Sequence, residues 1–346
     1  MMLKTRIVLI TSFLLIAAAA FSQRYFVSNQ YVYDLFLMNP AGAAFNRSCV
    51  SVNGFYQRQW FGTDLAPTTQ LLAAQLPVGG NVGSGTYIYN DRNGFNRKFS
   101  LMQAFSVEIK IRENRNGSNT SLVFGLAGLL EQTSIDQSKF EGGVGLDPVV
   151  NSDKESGFGF NANAGMLIRS GQYHAGFSAT NILPQNNPMY DSEWEPELPV
   201  DMHAHAGTSF KYPGRDLWFE PLVYYRWNSY NDTRLDINMK LEIPTFNEDF
   251  ALWGVLAYRR NMDHEFGKSL GAAVAAGVNY KGFNVGIEHQ LGLTGAQTQF
   301  GSAYMLVFGY NFCQGKRTRS LPCSERDPMV NQGVYERPGK RGLFKR

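Results

Sequence analysis

His203 and His205 are the residues best placed by type and spacing to do chemistry. Two apart in an alternating stretch, they point to one face and could share a metal ion. No third ligand stands at a matching spacing, so two polar groups lining an interior are the better reading, and neither a metal nor a cofactor is expected. Glu193, Glu195 and Glu197 crowd one long connection, where they read as a hydrated acidic patch rather than an acid/base pair. Asn90-Asp91-Arg92-Asn93-Gly94 lacks the spacing of a calcium-binding loop and reads as a hairpin turn. No nucleophile elbow, phosphate loop or zinc-hydrolase signature is present. No catalytic residue is nominated, and the chain is expected not to be an enzyme. Convergence of groups from distant strands is the remaining route to catalysis, because it leaves no local motif.

The elements that would position such residues are strands. From Ser48 to Phe312 the hydropathy alternates with period two. Leu235, Ile237, Met239, Leu241 and Ile243 take one face, against Arg234, Asp236, Asn238, Lys240 and Glu242 on the other. Phe99, Leu101, Gln103, Phe105, Val107, Ile109 and Ile111 repeat the pattern. In Leu122, Phe124, Leu126, Gly128 and Leu130 the opposite face is small, with Gly125 and Ala127, which suits a crowded interior. Such runs predict strands near 48–60, 68–76, 82–91, 99–111, 120–132, 156–169, 173–181, 202–212, 217–228, 234–243, 250–260, 270–280, 283–292 and 302–312. That is about fourteen, and a closed outer-membrane barrel requires an even number.

Lys4 and Arg6 precede an apolar run from Ile7 to Ala20 that ends in Ala20-Phe21-Ser22. This is the pattern of a secretory signal peptide over residues 1–22, with a mature start at Gln23. Beyond it no stretch has the length of a transmembrane helix, so a membrane-spanning mature chain must be an all-β, antiparallel transmembrane barrel. A mean hydropathy of −0.25 is compatible with that, because only alternate strand residues meet lipid. Connections after even-numbered strands are brief, as at Ser170 to Gln172 and Lys281-Gly282, whereas Thr133 to Glu155 and Ile182 to Asp201 are long. Short periplasmic turns, longer extracellular loops and periplasmic mature termini follow from that asymmetry. Aromatics near strand ends, among them Tyr56, Trp60, Tyr87, Tyr89, Trp218, Trp227, Tyr258, Tyr304, Tyr310 and Phe312, are expected to form interfacial girdles in contact with outer-membrane lipid.

Three segments carry a family likeness: Leu37-Met38-Asn39-Pro40-Ala41-Gly42; Tyr56-Gln57-Arg58-Gln59-Trp60 with Ala66-Pro67-Thr68-Thr69-Gln70; and Tyr89-Asn90-Asp91-Arg92-Asn93-Gly94. In order and spacing the chain resembles the PorP/SprF family. The resemblance implies an outer-membrane component of the type IX secretion system of Bacteroidota. Some members are essential to secretion, and others are paired with secreted adhesins used in gliding. The implied partners are a secreted surface protein with a C-terminal secretion domain and periplasmic subunits of the machine. Trp60, Pro67, Thr68, Thr69, Gln70, Asn90, Asp91 and Arg92 are the candidate partner-binding residues. Their structural alternative is turn and girdle chemistry that serves folding alone. A solute-conducting porin is the competing function, open only if neither loops nor the leading segment fill the lumen.

The organisation expected is a signal peptide at 1–22, a periplasmic or lumenal segment at 23–47, the barrel at 48–312 and a basic periplasmic tail at 313–346. From Gln314 to Arg346 nine Lys or Arg face three Asp or Glu, a net +6, while the body from Gln23 to Cys313 carries −5. In an exported chain such a tail reads as a docking arm for periplasmic subunits, with no role in nucleic-acid binding. The family commonly finishes near its last strand, and here the chain continues. Cys49, Cys313 and Cys323 are odd in number. First and last strands are neighbours in a closed barrel, so Cys49–Cys313 competes with Cys313–Cys323.

Overall fold

The computed structural model describes residues 29–47, 49–60, 65–112, 119–139, 154–186, 188–189, 197–212, 217–230, 232–245, 250–262, 269–292 and 302–313. The expected signal peptide, the expected basic tail, Cys323, Glu193 and Glu195 lie outside them. The strands are β1 (Cys49–Arg58), β2 (Thr68–Gly79), β3 (Val82–Asn93), β4 (Asn96–Arg112), β5 (Thr120–Asp136), β6 (Lys154–Ser170), β7 (Tyr173–Thr180) and β8 (Asp201–Thr208). They continue as β9 (Phe210–Lys211), β10 (Trp218–Asn228), β11 (Arg234–Pro244), β12 (Phe250–Asn261), β13 (Ser269–Tyr280), β14 (Phe283–Leu291) and β15 (Ala303–Cys313). Apart from β8 and β9, each is antiparallel to its chain neighbour, and β15 pairs with β1, so the sheet closes on itself. Both β8 and the two-residue β9 pair with β10 and form one stave, which leaves fourteen. The sequence alternation thus becomes a closed barrel with no sheet edge, the only strand architecture that satisfies every backbone group in lipid.

The seam between β1 and β15 runs in register from Cys49 opposite Cys313 to Arg58 opposite Tyr304. Cys49 is disulfide-bonded. The termini of the barrel share one end with the tight turns at 80–81, 171–172 and 281–282; this is the turn end. The connections at 137–153, 181–200 and 292–302 share the other, the loop end. The hairpin between β3 and β4 also lies there and is tighter than the sequence suggests. Asn93 pairs with Asn96, and Gly94 takes φ of +61°, so Asn90, Asp91 and Arg92 belong to β3 rather than to a turn.

Facing follows the alternation. Ile237, Ile243, Phe105, Ile109, Leu126 and Leu130 are exposed on the outer wall, the lipid side, while Asp236, Asn238, Glu242, Ser106 and Ala127 are buried inside. The outward apolar stretch of β6, Phe158 to Ile168, matches the ~9–11 residues a tilted strand needs to cross a bilayer. Rings gather outside at both ends: Tyr225 and Trp227 stack at 5.3 Å towards the loop end, Phe283 and Tyr310 meet at 4.5 Å towards the turn end. Three aromatics expected in these girdles are not there. Trp218, Tyr87 and Tyr89 stand on the inward parity, Trp218 fully buried, Tyr89 buried and Tyr87 packed on the core. Position near a strand end does not say which face a ring takes, and this lumen is apolar enough to hold rings.

Candidate functional site: a filled lumen and its mouth

The lumen is occupied by the chain's own leading segment. Three 3-10 turns, Gln30–Val32, Leu35–Leu37 and Pro40–Gly42, succeed one another inside the wall. The sequence sets them locally: Asp34 caps the second through the Phe36 amide, and Asn39 caps the third through the Ala41 amide with Pro40 at its first position. Tyr31, Val32, Leu35, Phe36, Leu37 and Met38 share one buried cluster with wall residues from β1, β2, β3, β4, β5, β10, β12, β13 and β15. Tyr31 lies 4.5 Å from Tyr224, and Tyr33 lies 5.6 Å from Trp253, ring centre to ring centre. A porin keeps water there; here side chains from all round the barrel meet a hydrophobic core.

Polar contacts fix the segment as well. The Tyr31 hydroxyl donates to Asp236 at 2.5 Å, and Arg234 donates to the same carboxylate at 2.7 Å. The Tyr33 hydroxyl and the Asn29 amide both donate to Glu288, at 2.8 and 2.6 Å, with Arg259 alongside at 3.4 Å. Asp34 accepts from Asn53 at 2.8 Å and from Gln75 at 2.7 Å, so a buried carboxylate is saturated by amide donors. Ser178 donates to the Met38 carbonyl at 2.7 Å, and Ser106 to the Ala43 carbonyl at 2.6 Å. At the turn end Arg169 donates to the Phe45 carbonyl at 2.9 Å, covers the Phe45 ring at 4.7 Å and pairs with Glu108. Arg47 completes this clamp 3.6 Å from Glu108. A peptide backbone in a water-poor lumen must find such partners, and the wall supplies them.

Inward glycines make room for it. A Cβ at Gly125 would lie 2.2 Å from the Ala41 nitrogen, at Gly165 2.0 Å from Asn39 Oδ1, and at Gly83 2.4 Å from the Ala43 carbonyl oxygen. The Leu37–Gly42 family motif is therefore the lumenal turn that lies against this glycine groove.

At the loop-end mouth the connection after β7 folds against the inner face of β6. Asn161 accepts from the Leu183 amide at 3.0 Å, and Asn163 accepts from the Asn181 amide at 3.0 Å. Six of the eight candidate partner residues meet close by, in register across β2 and β3: Thr68 opposite Arg92, Thr69 opposite Asp91, Gln70 opposite Asn90. Thr69 donates to Asp91 at 2.5 Å inside the barrel. Outside, Asn90 donates to Gln70 at 3.1 Å and accepts from Arg97 at 2.7 Å. Arg92 donates to the Gly94 carbonyl at 3.3 Å, and the Pro67 carbonyl accepts from Gln59 at 2.9 Å. Trp60 ends the first hairpin arm with φ of +53°. These residues hold the rim of the first hairpins together, and Thr68, Gln70, Asn90 and Arg92 stand on the outward parity.

His203 and His205 both face the lumen. His203 bonds Thr180 at 3.0 Å and Tyr224 at 2.8 Å, and His205 stands 3.4 Å from the Asn39 amide. Among the described residues no cluster of three or more His, Cys, Asp or Glu could hold a metal ion. The residues that sequence reasoning passed over are the plug's Tyr31, Tyr33 and Asp34 with their wall partners, the acceptors Asp236 and Glu288 and the donors Asn53 and Gln75. Their traces were an aromatic stretch without period two ahead of the first strand, and charged residues on a face expected to be merely wet.

A closed antiparallel barrel with a lipid-facing apolar belt, two aromatic girdles and an internal plug is an outer-membrane β-barrel protein. Its sequence matches the profile of the type IX secretion system membrane protein PorP/SprF over residues 20–310, and the chain belongs to that family. Nothing among curated proteins matches it. Among solved structures it is similar to the CymD monoaromatic hydrocarbon channel, at 8% identity and a TM-score of 0.53, over 86% of this chain and 96% of that one. A Pseudomonas aeruginosa FadL homologue is similar at 10% identity and a TM-score of 0.50, over 80% of this chain and 92% of that one. At such identities the likeness is one of fold.

Proposed function

We propose that this protein is a non-enzymatic component of the type IX secretion machinery that binds a secreted surface protein or another machine subunit and conducts no solute. The observation that carries the reading is the filled lumen. A transport path needs an open or hydrated interior, whereas here the interior is a packed core bonded to strands around the wall. What remains for function is recognition at the two ends.

In this reading the loop end is extracellular and the turn end periplasmic, on the grounds of connection length. Secreted protein would meet the mouth near Gln70, Asn90 and Arg92, and periplasmic subunits would meet the basic tail from Gln314. Affinity purification of the full chain from its native outer membrane is expected to recover exported proteins together with periplasmic subunits. Deletion of residues 314–346 should leave the barrel assembled and remove the periplasmic subunits alone. Recovery of neither class from the intact protein would overturn the reading.

The seam carries a separate expectation. Cys49 is disulfide-bonded and stands opposite Cys313 in the ladder. Peptide mapping without reductant should recover Cys49 joined to Cys313, a bond that would tie the first strand to the last. Recovery of Cys49 joined to Cys323 would contradict it.

A further inference from the structure

We infer that the leading segment threads the barrel from end to end, so that the chain ahead of Asn29 leaves through the loop-end mouth, on the side opposite to Cys49. Strand β1 serves as the ruler. It starts at the turn end with Cys49, two residues after Arg47 of the plug, and climbs to Arg58 at the loop end. Beside it the plug runs the other way: Asp34 bonds Asn53, and Gln30 lies 3.2 Å from Gln57, one residue short of the end of β1. Gln57 in turn bonds Gln290, one residue short of the end of β14. Asn29 bonds Glu288 and Tyr31 bonds Asp236, which lies two residues past Arg234, the loop-end start of β11.

From Cys49 to Gln57 β1 rises ~26 Å, or ~20 Å along the axis at the usual strand tilt. The segment covers that depth in one pass. No route leads back. Below Asn29 the lumen holds the plug itself, with Tyr31, Phe36, Met38 and Ala43 all at most 1% exposed. A chain entering Asn29 from the turn end would need a second strand of lumen beside a plug that, among the described residues, is packed on the wall. Of the two mature ends, only the one after Cys313 keeps the periplasmic placement that loop asymmetry suggests. The amino-terminal end joins the face of the 137–153 and 181–200 connections, within reach of exported protein and out of reach of periplasmic subunits.

Which end is outside rests on the functional reading above; the threading does not, and tags separate the two. The full chain is expressed in cells with a short epitope placed after Gln23, in a second version within 140–150 at the loop end, and in a third within 113–118 at the turn end. Each is probed on intact and on permeabilised cells, with assembly verified by heat-modifiable migration. The Gln23 tag is expected to follow the loop-end tag, both seen on intact cells, with the turn-end tag seen only after permeabilisation. A Gln23 tag that follows the turn-end tag would overturn the threading. If the loop-end and turn-end tags exchange behaviour, the sidedness fails, yet a Gln23 tag still matching the loop-end one upholds the threading. Should the epitope block assembly, Gln23→Cys probed with a membrane-impermeant maleimide reads the same outcome without added bulk.

Discussion

Alanine at both Gly125 and Gly165 is expected to unseat the Asn39–Gly42 turn from the wall. The added methyl groups would fall 2.2 Å from the Ala41 nitrogen and 2.0 Å from Asn39 Oδ1. The first obstacle is backbone, which cannot rotate aside, and the second is the oxygen that caps the turn by accepting from Ala41. Forcing extra carbon into a packed interior costs about 1–3 kcal/mol per site. The docked-to-undocked ratio should therefore fall by roughly one to two orders of magnitude or more, since each 1.4 kcal/mol is about tenfold. Hydrogen exchange of the Ala41 and Ala44 amides reads this directly, because both are bonded inside the plug or to Gln75. Gly128→Ala is the control. Its Cβ would meet only the Phe160 ring at 3.6 Å, an ordinary contact, and exchange at the plug should not change. Equal protection in the double variant and the wild type would mean that the glycine groove does not hold the plug.

Arg169→Met should loosen the other end. Arg169 holds the Phe45 carbonyl, stacks on the Phe45 ring and pairs with Glu108 in a largely buried site. Methionine keeps the apolar stem and removes all three polar interactions. Glu108 would retain Arg47, at 3.6 Å, and its hydrogen bond with Ser121. Removing one member of a buried pair costs about 3–5 kcal/mol, and the surviving Arg47 places this case near the lower figure. Heat-modifiable migration should show a lower unfolding temperature for the variant, together with faster cleavage after Phe45 by an added protease. Glu108→Gln with Arg169→Met should recover part of the loss, since no uncompensated carboxylate then remains. A double variant as unstable as the single one would assign the cost to packing rather than to charge.

Much of the barrel was legible because lipid enforces a strict rule. Every second residue from Leu235 to Ile243 or from Phe99 to Ile111 must tolerate hydrocarbon, and one alternation sets strand, facing and register together. The plug was not legible in the same way. Residues 29–46 have no period to read, since a segment in 3-10 turns surrounded by wall on all sides has no wet face. Its imprint on the wall could be read: Gly125 and Ala127 announced a crowded interior, and Gly83 and Gly165 belong to the same groove. What local patterning could not supply is the pairing of Tyr31 with Asp236 or Tyr33 with Glu288, more than two hundred residues apart in the chain. The rim residues divide similarly. Thr69 and Asp91 were recognisable as a motif, but their direct bond arises only when β2 and β3 take register. The misassigned rings, Trp218, Tyr87 and Tyr89, share one cause: a plugged lumen buries aromatics on the face that an open pore would keep polar.

Whether the lumen is sealed in the working protein can be measured in one experiment, by recording current across a planar bilayer that holds the purified full-length barrel. A barrel filled by residues 29–46 gives no steady conductance, and channel openings emerge only once the plug is unseated, as in the Gly125 and Gly165 double variant. A steady open channel in the unaltered protein would contradict the plugged, binding role and return the barrel to solute transport.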